Sequence, residues 1–313
     1  MTDLPMNPFG STGASVTALG YGSMDLGKKR DRRLEPVASD VAVDVLNEVL
    51  DAGINFIDTS PDYRDAESLI GRAIAHRRGE YFLASKCGCP VNQPRPVDGG
   101  TAPHVFTREN VRAGVEQSLT RMNTDYLDLV QIHMSPSRQE VEDDDSVAEL
   151  EALRDEGKVR FIGISTTFPN IADHIAMGVF DAFQIPYSLV EPDHDEWIVK
   201  AADAGAGTVI RGGVARGISA VPTVDLDGMT DISRRYINRR REFWREASLD
   251  ELLGDMTAME FILRFTLSHP HVSTTIVGTS NVEHLADNVA AARKGPLPDD
   301  VYQQAKDRIS KVA

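Results

Sequence analysis

The chain has 313 residues and a formal net charge of −15, with 41% hydrophobic and 26% charged residues. This length fits two average domains or one α/β barrel, and it is long enough to bury a sizeable core. So acidic a chain excludes nucleic acid as a partner of its whole surface, because phosphate contacts need Lys and Arg. A local basic site for an anionic cofactor stays open.

No targeting segment is recognisable in the sequence. The first residues, MTDLPMNPFG, lack the basic and apolar regions of a signal peptide, and no apolar run is long enough to span a bilayer. The two cysteines, Cys87 and Cys89, form one C-x-C and no disulfide framework. We therefore expect a cytoplasmic protein without a membrane partner. The sequence does not indicate an oligomeric state.

Strand-like and helix-like patterns alternate along the chain. The predicted strands are Val16–Gly22, the runs that end at Asp58 and Lys86, Leu127–His133, Phe161–Ser165, Ala182–Ile185, Thr208–Arg211 and Val272–Val277. Between or after them, helices are predicted at 41–52, 107–122, 147–158, 171–177, 197–204, 256–267, 282–292 and 302–312, and another between Asp58 and Tyr81.

Eight strands alternating with helices favour a closed (β/α)8 TIM barrel, with a doubly wound open sheet as the alternative. No G-x-G-x-x-G follows the first strand, which counts against the open dinucleotide-binding fold. We predict a single domain over residues 1–313. Residues 212–250, rich in Gly, Pro and Asp early and in Arg late, are predicted to be a long irregular insertion after strand seven.

Polar residues end the predicted strands, and in a barrel such strand ends converge on one mouth. Four of these side chains could act together on a carbonyl group. Lys86 could stabilise the phenolate of Tyr63 and lower its pKa, Asp58 could hold Lys86 charged, and His133 could donate a hydrogen bond to the carbonyl oxygen. Taken singly, each residue fits a structural role. Their occurrence at three successive strand ends favours a catalytic site.

At these positions the chain resembles the aldo-keto reductases. The resemblance rests on GINFIDTSPDY, LASKCG and YLDLVQIHM, and it extends over nearly the whole chain. It implies a (β/α)8 barrel and a catalytic tetrad of Asp58, Tyr63, Lys86 and His133, with Tyr63 as proton donor. It also implies reversible NAD(P)H-dependent reduction of an aldehyde or ketone. The implied cofactor is NADPH, with NADH as the alternative.

Two further segments resemble the family's nicotinamide site. In GIST, Ser165 matches the family serine, and Thr166 replaces an asparagine that holds the nicotinamide amide. Gln184, in FQIPYS, matches the amide-binding glutamine. Arg211 stands where an aromatic ring often stacks on the nicotinamide, and its charge predicts tighter binding of the reduced cofactor. Gly212, Gly213 and Arg216 follow it as expected cofactor contacts.

Near the C-terminus, IVGTSNVEHLADN resembles the family's adenosine-phosphate segment. It implies cofactor contacts from Gly278, Thr279, Ser280, His284, Asp287 and Asn288. His284 stands where an arginine often holds the 2′-phosphate of NADPH, and a neutral His is a weaker phosphate anchor than Arg. The arginines within 234–245 offer a compensating phosphate clamp or, alternatively, a solvated helix face.

The substrate is expected to be a small carbonyl compound that the sequence does not identify. Candidate pocket residues are Met24, Asp25, Cys89, Met134, Phe168 and the segment around Tyr236–Trp244. We predict no metal site, because two cysteines fall short of a tetrahedral ligand set. Two other functions stay open, namely a non-catalytic nicotinamide-binding sensor or regulatory subunit, and a Schiff-base aldolase that uses Lys86.

Overall fold

The computed structural model describes residues 3–26, 38–91, 103–215 and 231–312, with the side chains of 231–233 and 236 outside that description. Eight parallel strands close into a barrel in the order β10-β3-β4-β5-β6-β7-β8-β9, which confirms the predicted fold class. A two-stranded antiparallel hairpin, β1-β2, precedes the barrel. The strands are β1 Met6–Pro8, β2 Ser15–Thr17, β3 Leu19–Gly22, β4 Phe56–Asp58, β5 Phe82–Cys87, β6 Leu127–Ile132, β7 Val159–Ser165, β8 Ala182–Pro186, β9 Gly207–Arg211 and β10 Thr274–Val277.

Helices follow most barrel strands and pack on the outside of the sheet. They are α1 Ser39–Asp51, α2 Ala66–Ile74, α3 Arg108–Met122, α4 Arg138–Asp143, α5 Ser146–Asp155, α6 Ile171–Met177, α7 Asp195–Asp203, α8 Asp231–Glu246, α9 Ala258–Leu267, α10 Val282–Arg293 and α11 Asp299–Ile309. Along the described ranges, none of these helices is long and apolar enough to cross a membrane.

Two predictions of local structure were wrong. The run predicted as one strand, Val16–Gly22, divides at Ala18, because β2 pairs with the hairpin partner β1 while β3 pairs with β4 and β10. The second half of the region predicted to be irregular, 212–250, contains helix α8, which the sequence left open only as a solvated helix face for its arginines. Arg240 is buried on the inner face of α8 between Ile237 and Trp244, so a charged residue interrupts the apolar periodicity that would have indicated a helix.

Along β4 and β5 the barrel interior changes from apolar to charged. Because side chains alternate between the two faces of a strand, residues two apart share the interior. At the amino end, the rings of Phe9, Phe56, Phe82 and Phe161 form a continuous aromatic plug, with centroids 5.0–6.1 Å apart. Two residues beyond Phe56 lies Asp58, which is 1% exposed. The same strands therefore carry an apolar core at one end and charged groups at the other.

Candidate active site

A buried ion pair lies at the carboxyl end of β4 and β5. Lys86 Nζ donates to Asp58 Oδ1 at 2.9 Å, to Asp58 Oδ2 at 2.7 Å and to the Thr59 carbonyl at 2.8 Å. Burial lowers the pKa of Lys86, but Asp58 and Tyr63 together outweigh burial, so this pKa lies above its ordinary value. Lys86 is therefore a fixed ammonium at neutral pH, as the sequence predicted.

Two glutamines complete the shell around Asp58. Gln131 Nε2 donates to Asp58 Oδ1 at 3.0 Å, and Gln184 Nε2 donates to the same oxygen at 2.8 Å. Ser165 Oγ donates to Gln184 Oε1 at 3.2 Å. Sequence reasoning missed Gln131, although it lies two residues before His133 and so shares its face of the strand. Three side chains thus donate hydrogen bonds to the buried carboxylate, as its charge requires.

Tyr63 lies beside this pair, in the loop after β4. Lys86 Nζ is 5.1 Å from the centroid of the Tyr63 ring. Burial raises the pKa of the phenol, while the attraction of Lys86 lowers it. Burial prevails, so the pKa of Tyr63 lies above its ordinary value. Lys86 thus lowers the pKa of Tyr63, as the sequence predicted, but burial of the phenol outweighs this effect.

His133 directly follows β6 and faces Tyr63 edge-on, with ring centroids 6.5 Å apart. Burial lowers the pKa of His133 well below its ordinary value, and the positive charge of Lys86 lowers it further. The imidazole is therefore neutral at neutral pH and carries one proton. A neutral ring of this kind can donate one hydrogen bond to an oxygen at the mouth.

The two cysteines have different surroundings. Cys87 packs in the hydrophobic core, as predicted. Cys89 instead faces His104 and His133, and the Asp62 carboxylate lies with them, so that four side chains direct ligand atoms at one another. Sequence reasoning missed this cluster, because Asp62 and His104 lie in loops whose approach no local pattern encodes.

Thr166 is engaged inside the protein. Its hydroxyl lies 2.7 Å from His174 Nδ1, and His174 Nε2 lies 2.8 Å from the Pro136 carbonyl. A carbonyl can only accept, so Nε2 carries the ring proton and Thr166 donates to Nδ1. Thr166 consequently keeps only acceptor capacity for a ligand, whereas the amide of an asparagine could also donate.

The expected cofactor residues after strand seven lie at the same mouth. Arg211 ends β9, and its positive charge acts on both Tyr63 and His133. Gly212 has a φ of 76° and open space where a Cβ would lie, whereas a Cβ on Gly213 would lie 2.2 Å from Thr275 Oγ1. Arg216 lies outside the described residues.

The C-terminal segment lies between β10 and α10. Tyr21 Oη donates to the Thr279 carbonyl at 2.6 Å, which joins this segment to β3. A Cβ on Gly278 would lie 2.8 Å from the Gly22 carbonyl and 3.3 Å from Asp25 Oδ2. The structure therefore puts Asp25, expected in the substrate pocket, against the segment expected to hold phosphate. The remaining expected contacts are partly buried or exposed; they are Ser280, His284, Asp287 and Asn288.

Three of the expected pocket residues have large exposed side chains. Met24 is 39% exposed, Met134 50% and Phe168 46%, as suits side chains available to a ligand. Within the arginine-rich helix α8, Arg240 is occupied by the protein itself. It forms an ion pair with Glu191 and donates to the Ala215 carbonyl at 2.7 Å. A phosphate clamp from Arg240 would have to break both contacts.

Sequence comparison relates the chain to known proteins. The aldo/keto reductase family model matches residues 18–309, and the chain therefore belongs to that family. Over 93% of its length the chain is 27% identical to the uncharacterized oxidoreductase YqkF of Bacillus subtilis, covering 92% of that protein. It is also 27% identical to L-galactose dehydrogenase of Arabidopsis thaliana, with 93% and 89% of the two chains covered.

Solved structures show the same likeness. The holo form of aldo-keto reductase AKR11C1 from Bacillus halodurans superposes with a TM-score of 0.81 at 27% identity, over 98% of this chain and 96% of that one. Glycerol dehydrogenase AKR11B4 from Gluconobacter oxydans, at 23% identity and a TM-score of 0.75, shares the fold. The family is one of oxidoreductases that act on small carbonyl compounds or alcohols with nicotinamide cofactors.

Proposed function

We propose that this protein reduces an aldehyde or ketone to an alcohol with NADPH, or alternatively with NADH, and that Tyr63 is the proton donor. The arrangement of Tyr63 beside the Lys86–Asp58 pair carries the proposal. The phenol of Tyr63 is protonated at neutral pH. When it gives up its proton, the neighbouring Lys86 ammonium stabilises the phenolate that forms.

The residues at the mouth fit a nicotinamide nucleotide. Gly212 leaves room for close approach of a ligand to the backbone, and Gln184 and Ser165 offer polar groups at the adjacent strand ends. The charge of Arg211 favours the reduced, uncharged ring over the oxidised, cationic one. Gly278, Thr279 and Ser280 would hold the phosphate end. When bound, the reduced nicotinamide supplies a hydride.

Side chains of the protein then stabilise and protonate the carbonyl oxygen on which negative charge develops. Neutral His133 donates a hydrogen bond that orients this oxygen, and Tyr63 transfers its proton to it. Lys86 stabilises the resulting phenolate, and Asp58 keeps Lys86 charged and in place. The raised pKa of Lys86 counts against the Schiff-base alternative, because an amine nucleophile must be uncharged.

Cofactor consumption tests the proposal directly. The protein is mixed with NADPH, and separately with NADH, against a panel of aldehydes and ketones, and the loss of reduced cofactor is followed by absorbance. We expect substrate-dependent oxidation and a stoichiometric alcohol product. Tight cofactor binding without oxidation across the panel would favour the sensor. Borohydride trapping of a carbonyl compound on Lys86 would favour the aldolase.

A further inference from the structure

A four-residue cluster of metal-ligating side chains lies beside Tyr63. Its members are Asp62, Cys89, His104 and His133, and their ligand atoms all lie within 4.8 Å of one another. Cys89 Sγ is 3.6 Å from His104 Nε2 and 3.5 Å from His133 Nδ1. The two ring nitrogens are 3.2 Å apart. Asp62 Oδ2 is 3.2 Å from His104 Nε2 and 3.7 Å from His133 Nδ1.

These separations are the edges of a tetrahedron of zinc ligands. With Zn–S near 2.3 Å and Zn–N or Zn–O near 2.0–2.1 Å, tetrahedral angles give S···N edges of about 3.5–3.6 Å and N···N or N···O edges of about 3.3–3.4 Å. The observed S···N distances agree within about 0.1 Å, and the N···N and N···O distances agree within about 0.4 Å. The sixth edge, between Cys89 Sγ and the Asp62 carboxylate, is at most 4.8 Å, so a cation bound to all four side chains requires these two atoms to lie about 3.5 Å apart.

Hydrogen bonding alone explains this convergence poorly. His104 Nε2 faces the sulfur, the carboxylate and the other ring nitrogen, yet it can carry one proton and so serve one of them. A proton lies along one line between two atoms, whereas a cation attracts all four lone pairs at once. The arrangement is thus better satisfied by a metal ion than by shared protons.

The ligand set also selects the metal class. One thiolate and two imidazoles suit zinc and other borderline or soft transition metals, whereas magnesium and calcium require oxygen ligands. A thiolate and a carboxylate together carry two negative charges, so Zn²⁺ would make the site neutral. Cys89 and His133 are buried, and Asp62 and His104 are partly buried, so the four side chains are largely shielded from solvent.

We propose that Asp62, Cys89, His104 and His133 form a tetrahedral zinc site at the mouth of the barrel. Zinc binding to His133 Nδ1 leaves the ring proton on Nε2, so the metal sets the tautomer of this imidazole. The metal site itself does not depend on the proposed carbonyl reduction. Only the value of the tautomer for catalysis rests on that proposal, because the Nε2–H of His133 would orient the carbonyl oxygen. The metal acts here only through His133 and takes no part in hydride transfer.

The site is tested on the whole chain, without substrate. Purified protein is stripped with a chelator and then titrated with Zn²⁺, and separately with Co²⁺ as a spectroscopic probe. We expect one zinc per chain by elemental analysis after gel filtration. Cobalt should give the visible absorption of a tetrahedral complex and a thiolate-to-cobalt charge-transfer band, since Cys89 is a ligand.

Matched variants locate the site. Cys89→Ser should abolish the charge-transfer band, and His104→Gln should weaken zinc binding by more than about 100-fold. The controls are Cys87→Ala, a neighbouring buried thiol outside the cluster, and His76→Gln, an exposed imidazole, and both should bind zinc as the parent does. Circular dichroism and cofactor binding establish that each variant is folded. A parent that binds no zinc at micromolar concentration, or folded Cys89 and His104 variants that bind it unchanged, would overturn the proposal.

The tautomer is read separately from metal content. In ¹⁵N-histidine-labelled protein, zinc should move the His133 proton to Nε2, as long-range ¹H–¹⁵N spectra report. An Nδ1-protonated His133 in the zinc-loaded protein would remove His133 from the ligand set. Neither readout requires turnover, so failure to reduce carbonyl compounds would leave the metal result standing, and failure to bind zinc would leave the reductase proposal standing.

Discussion

The two ends of the barrel interior bury opposite kinds of side chain, apolar rings at the amino end and charged groups at the carboxyl end. At the amino end, Phe9 from the hairpin joins Phe56 and Phe82 in an aromatic plug that excludes water. At the carboxyl end, the Asp58–Lys86 pair is 1% exposed and depends on a complete set of hydrogen bonds. Burying apolar rings stabilises a fold, whereas burying charges costs stability unless each is paired. The carboxyl end therefore contributes less to stability than the amino end, which accords with the catalytic role that we propose for it.

The largest effect is expected from the carboxyl end. Tyr63→Phe removes one hydroxyl and with it the proton donor, so kcat/KM should fall by about 10²–10⁴-fold. Cofactor affinity and the denaturation midpoint should remain close to those of the parent. The matched control is Tyr81→Phe, which removes a hydroxyl that donates to the Ile74 carbonyl at the amino end of β5. Normal turnover by Tyr63→Phe would refute the assignment.

Breaking the buried ion pair should reduce the stability of the fold. Lys86→Met leaves the Asp58 carboxylate without its ammonium, and we expect a loss of about 3–5 kcal/mol in the free energy of unfolding. Adding Asp58→Asn should recover about half or more of this loss, because no buried charge then remains. Urea denaturation of the single and double variants measures both values. Equal stability of parent and Lys86→Met would show that the pair is not buried as described.

The amino end should respond only in stability. Phe9→Ala opens a cavity between Phe56 and Phe82, and it should reduce the free energy of unfolding by about 3 kcal/mol, within the range for buried Phe→Ala changes. At a temperature where the variant is folded, kcat should match the parent. A fall in kcat without loss of stability would mean that the two ends are coupled.

The smallest effect is expected where one of several contacts to the carboxylate is removed. Gln131→Met keeps the length of the side chain but loses the hydrogen bond to Asp58 Oδ1. Lys86 and Gln184 still hold the carboxylate, so we expect a loss of about 1 kcal/mol in unfolding free energy and less than a tenfold fall in kcat. Urea denaturation and steady-state kinetics measure both quantities. A larger fall in kcat would give Gln131 a more direct role than support of Asp58.

The sequence predicted the parts of the structure that local pattern controls. Strand alternation indicated the closed barrel, and polar residues at strand ends placed Asp58 and Lys86 together. Gln131 was missed because a single amide within an apolar run resembles a tolerated polar residue. Asp62 and His104 were missed because their approach depends on two loops that fold against each other. Helix α8 was predicted only as an alternative for the arginines within 234–245, because its buried face includes Arg240, whose charge is paired with Glu191.

The proton-donor assignment is tested most directly by a crystal structure of the complex with oxidised cofactor and an unreactive carbonyl analogue of a substrate found in the panel. We expect the analogue's oxygen to lie about 2.6–3.2 Å from Tyr63 Oη, while the Tyr63 ring remains beside Lys86 Nζ. An oxygen bound elsewhere, with Tyr63 Oη beyond hydrogen-bonding reach and turned from the mouth of the barrel, would contradict it.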